Sequence, residues 1–308
     1  MRELVKINEL TRVLLSFSLA LAPIALAQAP QPDGGGVRPG KLLSQWATGG
    51  PNCLEAPDWQ IHEYNPDFYI LRQSGCVDYE KPFLYLLFGK DKVLLEDTGA
   101  PPSDAARVVS DLIAKWLKLN KRTSIALIVA HSHGHDDHTA GDSGFAALPN
   151  ATMVPLTVEG TSKFFGIENW PQGIGQFDLG GRVLDVIPIP GHHALSIAFY
   201  DRQTGLLLTG DSLYPGRLYV RDFPEFVRST DRLVEFTRGK IVAHILGTHI
   251  EQMNLPYKDY IVGTRYQPDE HELALSRGTL LELQEALHAM NGIPARKAFR
   301  DFTVWPLK

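Results

Sequence analysis

The run HSHGHDDH, directly after the apolar stretch Ile125-Ala-Leu-Ile-Val-Ala130, constrains this chain more than any other feature. Within it, His133, His135, Asp137 and His138 spell His-x-His-x-Asp-His. So many imidazoles and carboxylates in a few residues cannot pack as a hydrophobic core element. As neutral nitrogen and anionic oxygen donors they suit zinc or another first-row divalent ion. Alternate residues at a strand's end point the same way, so His133 and His135 share a side. Asp137 and His138 follow on the turn, where they can face a second ion. Only one register fits, because starting from His131 would need Asp at 135 and His at 136. The competing reading is a solvated His-rich loop that binds metal adventitiously.

The rest of the chain repeats the arrangement. Pro188-Ile-Pro-Gly-His192, Leu206-Leu-Leu-Thr-Gly-Asp211 and Ile245-Leu-Gly-Thr-His249 each put one metal-capable side chain just after an apolar, strand-like run. Upstream, Val93-Leu-Leu-Glu-Asp97-Thr-Gly99 does the same. Taken in order, these motifs resemble the metallo-β-lactamase fold superfamily of hydrolases, over roughly residues 59–255.

Strand and helix signals place the motifs. Trp59–Arg72 reads as the first strand, and Phe83–Phe88 and Val93–Asp97 as a hairpin around Gly89-Lys-Asp-Lys92. Ser103–Leu119 reads as a helix capped by Ser103 or Asp104, with Val108, Leu112, Ile113, Trp116 and Leu119 on one face. Phe177–Ile187 is a hairpin turning at Gly180-Gly181, and Ser196–Tyr200 with Leu206–Leu208 is another. Helices over Asp222–Arg238 and Thr279–Met290 flank a strand at Ile241–Leu246. Composition alone says only α plus β. The resemblance implies an α/β (α+β) fold, a four-layer αββα sandwich whose ligands converge along one edge.

The resemblance also implies roles. His133, His135 and His192 would hold one metal, Asp137, His138 and His249 a second, and Asp211 would bridge them. The cofactor is then two zinc ions, with iron or manganese as alternatives, and the nucleophile a hydroxide shared by the ions. Asp97 is expected to support ligand histidines or loop backbone, against a plain turn role. The chain departs from the family after Gly-His, with His193-Ala-Leu-Ser196 in place of Thr-x-Gly-Ser. His193 is therefore either a general acid or hydrogen-bond donor near the ligands, or a polar replacement bonded within its loop. His131 reads as structural, and His62, His244, His271 and His288 default to surface or core. In the segment after Asp211, Tyr214 or Tyr219 could donate to an oxyanion and Arg217 or Arg221 could bind a carboxylate, against simple packing. The catalytic candidates are Asp137, Asp211, His193 and Tyr214. The stretch Phe164–Ile174 has the size of a lid.

Composition sets the surroundings. With 308 residues, 44% of them hydrophobic, the chain suits one large domain with small appendages. Residues 1–27 read as a signal peptide: Arg2, Lys6 and Arg12 precede an apolar run from Val13 to about Leu26, and Ala25-Leu-Ala27 precedes a cut before Gln28. An uncleaved anchor is the competing reading, but the run is short for a span and is interrupted by Pro23. Residues 28–40 read as a disordered linker, and 41–308 as the metallo-β-lactamase fold domain with a C-terminal helical extension. The net charge of −5 becomes −6 without the leader's +3 −2 = +1, which argues against nucleic acid as a partner. In an exported protein, periplasmic or extracellular, Cys53 and Cys76 read as a disulfide, with two free thiols as the alternative.

The leading function is thus an exported dinuclear zinc hydrolase acting on the ester, thioester, lactone or β-lactam carbonyl of a small-molecule substrate, without stable membrane insertion after cleavage. The alternatives are a mononuclear non-haem iron enzyme similar to persulfide dioxygenases and a non-catalytic metal-binding module. The sequence assigns no oligomeric state.

Overall fold

The computed structural model describes residues 36–53 and 56–307. The expected leader (1–27) and the first part of the expected linker (28–35) lie outside the described residues. Residues 36–40 form no regular element, but Arg38 N–H donates to the Gln203 carbonyl at 2.8 Å and Lys41 N–H to that of Tyr64 at 2.9 Å.

The first sheet runs in sequence order: β1 (Trp59–Asn65), β2 (Phe68–Gln73), β3 (Phe83–Phe88), β4 (Lys92–Glu96), β5 (Ala126–Ala130) and β6 (Ala151–Met153). The single strand expected over Trp59–Arg72 is a hairpin instead. Asn65-Pro66-Asp67 turns the chain, the Asn65 side chain accepting from Asp67 N–H at 2.9 Å, a turn signal that a long apolar run obscures. β4 and β5 are parallel, so their C-terminal ends meet at one edge.

The second sheet begins with β7 (Gly175–Asp178), β8 (Val183–Pro188), β9 (Ile197–Asp201) and β10 (Leu206–Leu208). The chain then leaves through β11 (Arg217–Val220) and returns as β12 (His244–Leu246) and β13 (Ala274–Leu275), giving the order β13-β12-β10-β9-β8-β7. β11 joins β14 (Lys297–Ala298) and β15 (Thr303–Pro306) in a small third sheet that the sequence reading did not foresee. The helices are α1 (Ala105–Leu119), α2 (Asp136–Thr139), α3 (Asp142–Ala146), α4 (Val158–Phe165), α5 (Phe223–Phe236) and α6 (Arg277–Ala289).

Strand residues alternate between two apolar layers. Leu94, Ile128, Phe199, Leu206 and Leu208 pack between the sheets, whereas Val93, Leu95, Leu127 and Val129 face α1. Ile187, Ala198, Leu207 and Ile245 face the opposite way, against α5 and α6. Strands buried on both faces need near-continuous apolar sequence, which these have. The result is the αββα sandwich. Removing one such side chain, as in Leu94→Ala, leaves a cavity costing about 2–5 kcal/mol.

Further ties brace the frame. Arg182, almost wholly buried, pairs with Asp201 at 2.6 Å and donates to the Asp67 and Phe88 carbonyls, linking the two sheets. Cys53 and Cys76 are bridged, their Cα atoms 5.2 Å apart. Among the described residues no helix is long and apolar enough to cross a membrane.

Candidate metal centre

Every expected ligand sits just past a strand at the same edge of the sandwich. His133 and His135 follow β5, and Asp137 and His138 lie in α2. His192 follows β8, Asp211 sits in a single 3-10 turn after β10, and His249 follows β12. Two glycines permit the close approach. Gly191 has φ +139°, and a Cβ there would lie 2.5 Å from the Phe226 backbone. Gly210 has φ +50° and would meet the Ser132 Cβ at 2.7 Å.

The structure gathers these residues into two clusters, His133–His135–His192–Asp211 and Asp137–His138–Asp211–His249. In the first, His135 Nδ1 lies 2.8 Å from His133 Nε2 and 3.1 Å from His192 Nε2. Asp211 Oδ2 faces that group, 3.5 Å from His192 Nε2 and 3.8 Å from His133 Nε2. Asp211 Oδ1 faces the second, 3.2 Å from His249 Nε2 and 3.6 Å from His138 Nε2. Asp137 Oδ2 completes it, 3.1 Å from His138 Nε2 and 3.2 Å from His249 Nε2. One carboxylate therefore serves both clusters, one oxygen each.

The outward ring nitrogens explain the orientation. His192 Nδ1–H donates to the Tyr219 carbonyl at 2.7 Å and His249 Nδ1–H to the Glu80 carbonyl at 2.8 Å. His138 Nδ1–H donates to Asp97 Oδ2 at 2.8 Å. Ser132 Oγ–H donates to the same Asp97 oxygen at 2.8 Å, so its lone pair accepts from His133 Nδ1–H at 3.1 Å. Asp97 Oδ1 also accepts Ser132 N–H at 2.7 Å. In each of these rings Nδ1 carries a proton, and Nε2 is the nitrogen turned inward, the one left to bind an ion.

Lone pairs converging on carboxylates repel unless a cation lies between them. His138 Nε2 is buried, makes no hydrogen bond and looks at two carboxylates. The donor set thus fits a divalent ion at each cluster.

Electrostatics agrees. Burial opposes charge on His138 and His249, but the carboxylates of Asp137 and Asp211, with Asp97 at His138, outweigh it and raise both well above the usual imidazole value. In the metal-free protein, protons thus stand in the second cluster where a cation would. Burial, with neighbouring imidazoles adding to it, lowers His133, and lowers His135 to about 4; burial also lowers His192. These three are neutral donors at physiological pH. Asp137 and Asp211 are held down, the imidazoles overcoming their burial.

Several expectations are revised. Tyr214 is fully buried; its hydroxyl contacts the Arg217 carbonyl and lies 3.1 Å from Glu251 Oε2, so it is committed to the frame and not directed at an oxyanion. Arg217 is likewise spent, on Glu251 at 2.7 Å and the Tyr260 carbonyl at 2.6 Å, and cannot take a substrate carboxylate. Tyr219 remains. It lines the cleft and its oxygen accepts from Arg217 Nε at 3.1 Å, which leaves its own O–H to donate elsewhere. His193 contacts no ligand by hydrogen bond. Its Nδ1 accepts Leu195 N–H at 3.1 Å, the loop role, while its ring lies 5.0 Å from that of His135. His131 bonds Asp142 at 2.8 Å, as a structural histidine. His62, His244, His271 and His288 join neither cluster.

Ser132, Thr248 (whose hydroxyl donates to Asp211 Oδ1) and the Glu80 and Tyr219 carbonyls went unread in the sequence. A hydroxyl beside a ligand histidine is a weak cue, and a backbone carbonyl offers none. Glu96 was also missed. Neither of its oxygens is hydrogen-bonded, and burial with the adjacent Asp97 pushes its pKa well up.

Two His/Asp clusters sharing one carboxylate at the edge of an αββα sandwich define the metallo-hydrolase type of fold. The family model described as metallo-beta-lactamase superfamily matches residues 81–282, and the chain belongs to that superfamily. It is similar to a hydroxyacylglutathione hydrolase of Aeromonas hydrophila, 24% identical over 228 residues, 72% of this chain and 80% of the relative. Another of that name from Francisella tularensis is 28% identical over 43% of this chain, which spans 47% of that relative's length. The solved TMB-1 structure matches 77% of this chain and 100% of its own at 14% identity, with a TM-score of 0.51, a likeness of fold.

Proposed function

We propose that this protein is an exported dinuclear zinc hydrolase that cleaves an ester, thioester, lactone or β-lactam carbonyl. The observation that carries the reading is the division of Asp211, one oxygen toward each cluster, with the outward nitrogens of His133, His138, His192 and His249 all held. When bound, two such ions supply water acidified toward neutral pH and an electrophile for the carbonyl.

The chain's own groups do the rest. Asp97 and Ser132 hold one ligand tautomer in each cluster. Thr248 orients the shared carboxylate. Tyr219 offers its O–H to a carbonyl oxygen gathering charge. The relatives named hydroxyacylglutathione hydrolases put thioesters first among substrates to try. Export is supported by the composition of the leader and by the Cys53–Cys76 bridge, which suits an oxidising compartment.

The test is turnover by zinc-loaded protein of a simple acyl thioester, a lactone and a chromogenic cephalosporin. At least one should be hydrolysed, lose turnover to a chelator and regain it with zinc. Failure on all of these by protein carrying two zinc ions contradicts the hydrolase reading. One bound iron with persulfide-dependent oxygen uptake replaces it.

A further inference from the structure

Beside the metal cleft lies a second hollow. The cleft itself, about 300 Å³, is polar and includes Glu80, Asp137, Asp211 and Glu251. The neighbouring cavity, about 570 Å³, is walled by Trp170, Pro171, Val158, Pro190 and Ala194, with His193 at its inner side. The two share His192 and Arg221 as walls, so a molecule whose carbonyl sits at the ligands has this space within reach.

Its frame is built rather than incidental. Trp170, half-buried, packs against the core between the sheets, which backs one wall of the cavity. The Pro190 carbonyl accepts from Ser229 Oγ in α5 at 2.6 Å, and the Gly191 carbonyl accepts Arg221 N–H and Asp222 N–H at 3.0 and 2.9 Å. His193 lines the cavity with its Nδ1 held by Leu195 N–H, and its ring lies 5.0 Å from that of His135, a residue of the cleft. The lining offers an incoming group apolar surface, with charge confined to Arg221, Asp222 and Glu225. A group that enters gains by leaving water and gains little from polar contacts.

The geometry points to a substrate with an extended apolar acyl group, seated against Trp170 and Val158 while its carbonyl lies over the metal clusters. This rests on the hydrolase reading and narrows it. The preferred substrate is a medium-chain acyl ester, thioester or lactone, in place of the small hydroxyacyl unit in the relatives' names. Binding energy from the chain, remote from the reacting bond, raises kcat/KM. Each methylene that enters should raise it about fourfold, the equivalent of about 0.8 kcal/mol.

The experiment uses zinc-loaded protein and N-acetylcysteamine thioesters from acetyl to decanoyl, with S-lactoylglutathione alongside. kcat/KM should climb from acetyl to about octanoyl by two orders of magnitude or more and exceed that for S-lactoylglutathione. Two variants probe the wall. Trp170→Ala should flatten the climb. Val158→Asp places a charge in the cavity at the first residue of α4, where an acidic group suits the helix N-terminus and folding is retained; it should abolish the climb. Decanoate binding, followed by isothermal titration calorimetry of the same zinc-loaded proteins, reads the cavity without turnover.

Hydrolysis of the acetyl thioester with a flat chain-length profile overturns this inference and leaves the hydrolase reading standing. A climb that both variants leave intact also overturns it. Decanoate binding that needs Trp170, in a protein that hydrolyses nothing, upholds the cavity and removes the hydrolase. Neither hydrolysis nor decanoate binding removes both.

Discussion

Asp97→Asn is the most informative single change, because one buried carboxylate sets a ligand tautomer in each cluster. Asp97 Oδ2 accepts directly from His138 Nδ1–H and, through Ser132 Oγ, governs His133 Nδ1. The backbone of Asp97 has φ +68°, a region asparagine tolerates and alanine does not, so the substitution isolates the side-chain effect. The amide keeps an oxygen for Ser132 N–H but turns an NH2 group toward His138. Two donors then meet, and relief requires the imidazole to give up its Nδ1 proton and keep one on Nε2, which faces Asp137 and Asp211. That nitrogen can no longer ligate.

Changes to such outer partners typically cost 10–100-fold in metal affinity, and each factor of ten is about 1.4 kcal/mol. The second ion, held by His138, should weaken roughly 100-fold, about 2.7 kcal/mol. The first, reached only through Ser132, should weaken roughly tenfold. Unmatched buried donors should also lower the stability of the metal-free protein by about 1–3 kcal/mol. Competition with a chromophoric chelator resolves the two affinities, and thermal unfolding of the metal-free variant reports the fold. A folded Asp97→Asn protein that binds both ions as tightly as the parent would refute the tautomer argument.

The two tyrosines near the cleft should separate. Tyr219→Phe should lower kcat by roughly 100-fold with metal content unchanged, whereas Tyr214→Phe should cost about 1 kcal/mol of stability and leave kcat within a few-fold; the reverse pattern restores Tyr214 as the oxyanion donor. Reduction of Cys53–Cys76 frees a loop closed over a separation of 23 residues and should cost about 3 kcal/mol in denaturant unfolding, so equal stability of both forms argues against the bridge. His138 and His249 are raised above the usual imidazole value in the metal-free protein, and so are protonated at pH 7. Zinc must displace those protons, so calorimetry in buffers of different ionisation enthalpy should show proton release at the second site and weaker binding as pH falls; binding without release contradicts the assignment.

How far the sequence was legible depended on whether a feature was local. Apolar runs ending in His or Asp marked β4, β5, β8, β10 and β12, and with them all seven residues of the two clusters, because a strand end followed by a donor is a contiguous signal. The β1–β2 turn was lost inside a long apolar segment, although Pro66-Asp67 marks it. The sheet of β11, β14 and β15 pairs Arg217–Val220 with Thr303–Pro306, a contact between distant parts of the chain that no local pattern announces. Tyr214 and Tyr219 looked alike in sequence. Only the distribution of Arg217 and Glu251 distinguishes the buried Tyr214 hydroxyl, next to Glu251, from that of Tyr219, which accepts from Arg217.

The shared role of Asp211 is the centre of the account, and native mass spectrometry of zinc-loaded protein addresses it directly. The parent should carry two zinc ions per chain. His138→Ala should keep one, held by His133, His135 and His192, whereas Asp211→Ala should lose the second ion and hold the first weakly enough to shed it on dilution. An Asp211→Ala protein that retains two tightly bound zinc ions would contradict the account.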